Sequence, residues 1–137
     1  MTAPKRVTEG VRTALASITA AWRAGRFDDM APLIAEDVVM VFPGFGGRLV
    51  GRAALIESFR AFARDARVLD YRQEEAVVDG AGTVAVAQYP FEMVYERAGA
   101  RWRATGWDVW VFERRTTAWT AVWRTMQALA EQPADDA

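Results

Sequence analysis

The sequence predicts a single α+β domain in which a curved antiparallel sheet packs on three helices around an internal pocket. Three observations predict it. The first half carries apolar residues at helical spacing, interrupted by one short β-branched run. From Val68 onward the helical period disappears, and four strand-like segments follow with short turn-forming connections between them. The chain has 137 residues, the size of one domain. Helices gathered before a run of antiparallel strands place the helices on one face of the sheet.

The elements follow in order. Val7, Val11, Ala14, Leu15, Ile18, Ala21 and Trp22 recur at three- and four-residue steps, which predicts an amphipathic helix stopped by Gly25. Asp28 is placed to cap a short second helix that ends near Glu36, with Pro32 close to its start. Val38 to Phe42 reads as a buried strand, broken by Pro43-Gly44-Phe45-Gly46-Gly47. After Gly51, Leu55, Ile56, Phe59, Phe62 and Ala63 share one face of a third helix. The strand segments are expected at Leu69–Val78, Thr83–Glu96, Arg101–Arg114 and Ala118–Ala128. Positions 1–130 form the domain, and 131–137 are expected to be a disordered polar tail.

Composition narrows the chemistry. Seventeen basic and eighteen acidic residues give a net charge of −1, so no global field draws nucleic acid. No apolar run is long enough to span a membrane, and Met1 to Arg6 are polar, so the expected location is cytoplasmic. Cysteine and histidine are both absent, which removes disulfides, thiolate metal sites and every histidine-based triad. No metal or cofactor is expected. Acid–base work would fall to Asp, Glu, Lys or Tyr. Six Trp, seven Phe and three Tyr are ample to fill a core or to line a cavity.

Strand parity assigns faces. In the third strand segment Trp102, Ala104, Gly106, Asp108, Trp110 and Phe112 lie together, opposite Arg103, Thr105, Trp107, Val109, Val111 and Glu113. Both faces carry aromatics, so both are expected to be covered, the second by another copy of the chain in a homodimer with Trp107 on that side. In the fourth segment, Trp119, Ala121, Trp123 and Thr125 alternate with Thr120, Val122, Arg124 and Met126. Pro90 interrupts the second segment and marks an edge or a bulge that bends the sheet. Glu92 is expected to pair with Arg103 or a neighbour.

Several local motifs carry a resemblance. Ala24-Gly25-Arg26-Phe27-Asp28 closes the first helix, Leu33-Ile34-Ala35-Glu36-Asp37-Val38 turns into the first strand, and Gly51-Arg52-Ala53 opens the third helix. In this order of elements, residues 7 to 128 resemble the NTF2-like superfamily, and most closely its SnoaL-like and ketosteroid-isomerase-like branches. The resemblance implies a cone with a deep apolar pocket, often in a homodimer, on a fold that hosts many activities. Ketosteroid-isomerase-like members use a carboxylate base on the first strand, where this chain has Phe42. Their oxyanion tyrosine on the first helix falls near Ile18, and their inward carboxylic acid falls on Asp108. Where many SnoaL-like members carry histidines on the last strand, this chain has Trp123 and Thr125.

Asp108 is therefore the central candidate, as an acid or hydrogen-bond donor to a ligand oxygen, with Tyr89 as a second donor. The bland alternative makes Asp108 the structural partner of an arginine. Trp22, Phe42, Trp110 and Trp123 are expected to line the pocket around a small apolar or cyclic ligand. Two functional readings stand side by side. One is a cofactor-independent isomerase, cyclase or lyase; the other is a non-catalytic ligand-sensing or assembly module. A pocket open near Asp108 favours the first, and one filled by tryptophans favours the second.

Overall fold

The computed structural model describes residues 1–134. Helix α1 spans Lys5–Arg23, and a 3-10 helix covers Phe27–Leu33. Strand β1 is Ile34–Val41, β2 is Arg48–Val50 and α2 is Arg52–Asp65. The chain then stays in the sheet, with β3 Ala66–Gln73, β4 Val77–Ala81, β5 Val84–Arg97, β6 Ala100–Arg115 and β7 Ala118–Pro133. The seven strands form one sheet in the order β2-β1-β7-β6-β5-β3, with β4 also on β5. No helix among the described residues is long and apolar enough to cross a membrane.

The apolar stripe of α1 is buried as its spacing predicts, at Val7, Val11, Ala14, Leu15, Ile18 and Ala21. Burying each of the larger ones contributes about 1.5–3 kcal/mol. The facing sheet positions Ala85, Ala87 and Ala121 are fully buried and small, which lets the helix sit close to the strands. Gly25 ends α1 at φ 73°, where Arg26 N–H reaches Ala21 O at 2.9 Å and Gly25 N–H reaches Trp22 O at 3.2 Å. A left-handed residue is needed there, and glycine adopts it without a Cβ clash.

The structure departs from the periodicity in four places. The second helix is a 3-10 turn that stops at Leu33, and Ile34 to Glu36 belong to β1. Pro32 has no N–H to continue a helix, and buried Ile34 pairs with Ala121 of β7. That β1–β7 pair is parallel, so the sheet is mixed where an all-antiparallel sheet was expected. The segment expected as Leu69–Val78 is split into β3 and β4, both on β5. The break falls opposite Pro90, whose carbonyl accepts from Glu74 N–H at 3.2 Å but which has no N–H to return. Arg12 of α1 fastens the resulting loop through two bonds to Ala76 O, at 2.7 and 3.1 Å.

The last departure is in the tail. Glu131 to Pro133 continue β7 and pair with Ala104, Arg103 and Trp102 of β6. Without them, the start of β6 would have no neighbour on that side. The side chain of Glu131 also lies 3.4 Å from Arg97. The rest of the predicted tail, 135–137, lies outside the described residues.

Candidate functional site

Toward the C-terminal end of α1, helix and sheet diverge and enclose a cavity of about 570 Å³. Ile18, Trp22 and Arg23 of α1 form one wall, and Phe59 and Phe62 of α2 form another. Tyr71, Phe91 and Met93 rise from β3 and β5, and Met40 and Phe42 close the side toward β1. The aromatics line this space and do not fill it. Trp22 stands edge-on to Tyr71, with ring centroids 5.0 Å apart, and Tyr71 stacks beside Phe91 at 6.4 Å. Gly106 of β6 makes room for this wall, since a Cβ there would lie 3.2 Å from both Phe91 and Leu129.

The polar end of the cavity is a single buried network. Tyr89 and Asp108 are directly paired across β5 and β6, both on the inward face, and Asp108 is only 4% exposed. Arg124 of β7 grips the carboxylate with Nε at 3.0 Å from Oδ1 and Nη2 at 2.8 Å from Oδ2. Such a two-point guanidinium–carboxylate pair is the strong form of the interaction. The Tyr89 hydroxyl donates to Oδ2 at 3.2 Å and accepts from Trp110 Nε1 at 3.2 Å. Both Asp108 oxygens thus accept hydrogen bonds from side chains of the protein, and Asp108 is the ion-pair partner of Arg124.

Arg124 is held on its faces by rings, with Trp110 4.7 Å and Phe59 5.1 Å from the guanidinium carbon. Burial works to lower its pKa, but the charge and hydrogen bonds of Asp108 outweigh it and raise it above the ordinary value. The remaining nitrogen, Nη1, meets only the Met40 sulfur at 4.0 Å, a weak acceptor. Of the three guanidinium nitrogens it has the weakest acceptor. Burial pushes Tyr71 up to about 12, helped by the Asp108 charge and opposed by Arg124. Burial and then Asp108 push Tyr89 well above its usual range. The Tyr71 hydroxyl donates to Gln73 Oε1 at 2.7 Å. Among the described residues, no group of three or more acidic side chains comes together as metal ligands.

Of the residues singled out from sequence, Asp108, Tyr89, Trp22, Phe42 and Trp110 all lie on this cavity. Trp123 does not, and the reason is a bulge. Phe112 pairs with Ala121 but Val111 pairs with Trp123, so Val122 is an extra residue in β7. Parity reverses there, which turns Arg124 and Met126 inward and Trp123 outward. A second irregularity at Ala128, with φ 54°, reverses it again and brings Leu129 to the cavity. The predicted Glu92–Arg103 pair forms on the outer face at 3.1 Å.

Comparison with known proteins agrees with this architecture. A conserved protein from Planctomyces limnophilus superposes with a TM-score of 0.80 at 14% identity, covering 96% of this chain and 100% of that one. A ketosteroid isomerase-like protein from Erwinia carotovora atroseptica gives 0.75 at 15% identity, over 90% and 97% of the two chains. An NTF2-like protein with a cystatin-like fold from Novosphingobium aromaticivorans gives 0.69 at 25% identity, over 87% and 79%. No sequence match is found among curated proteins. The SnoaL-like domain model matches residues 15–129. With most of its length matched, the chain belongs to the SnoaL-like domain family.

Proposed function

We propose that the cavity holds a small, largely apolar, cyclic molecule by one oxygen at the Arg124 end. The end then stabilises negative charge developing on that oxygen during a cofactor-independent isomerisation, cyclisation or elimination. The observation that carries this reading is a buried arginine on an open apolar cavity whose Nη1 bonds a weak acceptor, the Met40 sulfur, at 4.0 Å. A donor fixed in a low-dielectric site costs no reorganisation when charge forms, and this is where such groups act most strongly. Asp108, Tyr89 and Trp110 are positioning residues in this scheme, because their hydrogen bonds orient Arg124 and not the ligand.

A second reading has its own support. Among the described residues, the one carboxylate on the cavity has both oxygens bonded by Arg124, and none is arranged as a free base. The same pocket would then bind its ligand without turning it over, as a sensing module.

Calorimetric screening of cyclic ketones and lactones separates the two, followed by proton–deuterium exchange at the ligand α-carbon. Binding with exchange supports catalysis, and binding alone supports sensing. No binding by any cyclic carbonyl compound overturns both. The paired variant Asp108→Leu/Arg124→Met, which removes both charges together, is expected to weaken ketone binding at least about ten-fold, the worth of one charge-assisted hydrogen bond.

We further propose that a second copy of the chain covers the outer face of the sheet. Val39, Trp123, Val111 and Val86 form one apolar row in register across β1, β7, β6 and β5, and Trp107, farther along the same face of β6, is 44% exposed. A face shared by two identical chains supplies its own complement in a two-fold dimer.

A further inference from the structure

We infer that the ligand of this pocket is an anion, a cyclic or aromatic carboxylate whose acidic group is read by Arg23 at the cavity mouth. The inference rests on the pocket reading above and adds the charge class of its occupant.

Four charged side chains line the cavity: Arg23, Arg67, Asp108 and Arg124. Asp108 and Arg124 cancel one another at the buried end. Arg67 lies 3.7 Å from Glu96 on the adjoining strand. Arg23 has no carboxylate within the 4.0 Å of a salt bridge among the described residues. Among the described residues, the cavity lining therefore carries one positive charge without a salt-bridge partner, in a chain whose net charge is −1.

The placement of that charge is specific. Arg23 is the last residue of α1, and its guanidinium carbon lies 5.5 Å from the Tyr71 ring centroid and 6.0 Å from that of Trp22. Arg23 is exposed to solvent, and its guanidinium lies beside two rings of the cavity wall. A basic residue in the last turn also complements the helix dipole. The dipole alone, however, would be served by any rotamer near the helix end. At this distance from the rings the guanidinium can take a carboxylate through two N–H groups, while the ligand body lies against Trp22 and Tyr71.

A matched pair of probes tests this, 1-naphthoate and the neutral 1-naphthamide, titrated calorimetrically into the full chain at low and high salt. The acid is expected to bind about ten-fold tighter than the amide at low salt, with the margin shrinking as salt rises. Arg23→Gln is expected to bring the acid down to the affinity of the amide, with a circular dichroism spectrum like that of the wild type showing that the variant is folded. Arg23→Lys should recover part of the difference. Amide binding equal to acid binding, or acid binding untouched by Arg23→Gln, overturns the inference and leaves the pocket reading intact. Failure of both probes and of the cyclic ketones overturns both.

Discussion

At the scale of single residues, the Asp108–Arg124 pair sets the stakes. The two side chains are only 5% and 9% exposed, and they satisfy each other through two short bonds. A buried pair of this kind is dear to break and cheap to remove whole, since each charge left alone must be desolvated without a partner. Asp108→Leu should therefore lower stability by about 3–5 kcal/mol in urea denaturation. Asp108→Leu combined with Arg124→Met should lower it by less than Asp108→Leu alone. The sign of that comparison is the test, and a double variant less stable than the single one would mean the pair stabilises the fold outright. Asp108 was legible in the sequence because β6 keeps an unbroken period of two through Trp110 and Phe112, all buried on one side. Its partner was not. Arg124 sits past the Val122 bulge, and nothing in the alternation of Trp119 to Met126 marks where an extra residue enters.

At the scale of elements, the sequence is readable wherever one period runs uninterrupted and opaque where two chains of hydrogen bonds meet out of step. The stripe of α1 and the face of β6 are of the first kind. The β3–β4 break, the β7 bulges and the parallel contact between β1 and β7 are of the second, because each is decided by a partner strand distant in sequence. The parity reversal has a consequence for the outer face. It sends Trp123 into the row with Val39, Val111 and Val86, so the bulge that supplies Arg124 to the pocket also supplies an aromatic to the opposite surface. Light scattering on the purified protein is expected to give twice the 15.2 kDa chain mass. Val111→Lys, at the centre of the row, should give one chain mass with an unchanged circular dichroism spectrum. A wild-type mass of one chain would remove the dimer.

For the whole molecule, the tyrosines tie stability to alkaline pH. The chain has three, and all are pushed above their ordinary value of 10.0. Tyr71 and Tyr95 move to about 12, and Tyr89 moves up strongly. Burial is the largest cause in each case; after it come the Asp108 charge for Tyr71 and Tyr89, and Glu131 for Tyr95. Near neutral pH every phenol is protonated in folded and unfolded chains alike, so the tyrosines give no slope there. Above pH 10 the unfolded chain releases protons that the folded chain keeps, so the unfolded state binds fewer protons and stability falls as pH rises. The loss should run from about pH 10 through about 12 and level off only once the folded tyrosines ionise as well. Histidine is absent, so no imidazole adds a step near neutrality. Urea midpoints measured across this range should stay level from about pH 7 to 9 and then decline. Phenolate absorbance in the native protein should lag behind that of the urea-unfolded chain as pH rises. Phenolate signal that rises near pH 10 while the circular dichroism stays native would show that the hydroxyls are reached by water, and that the polar end of the cavity is wetter than this network implies.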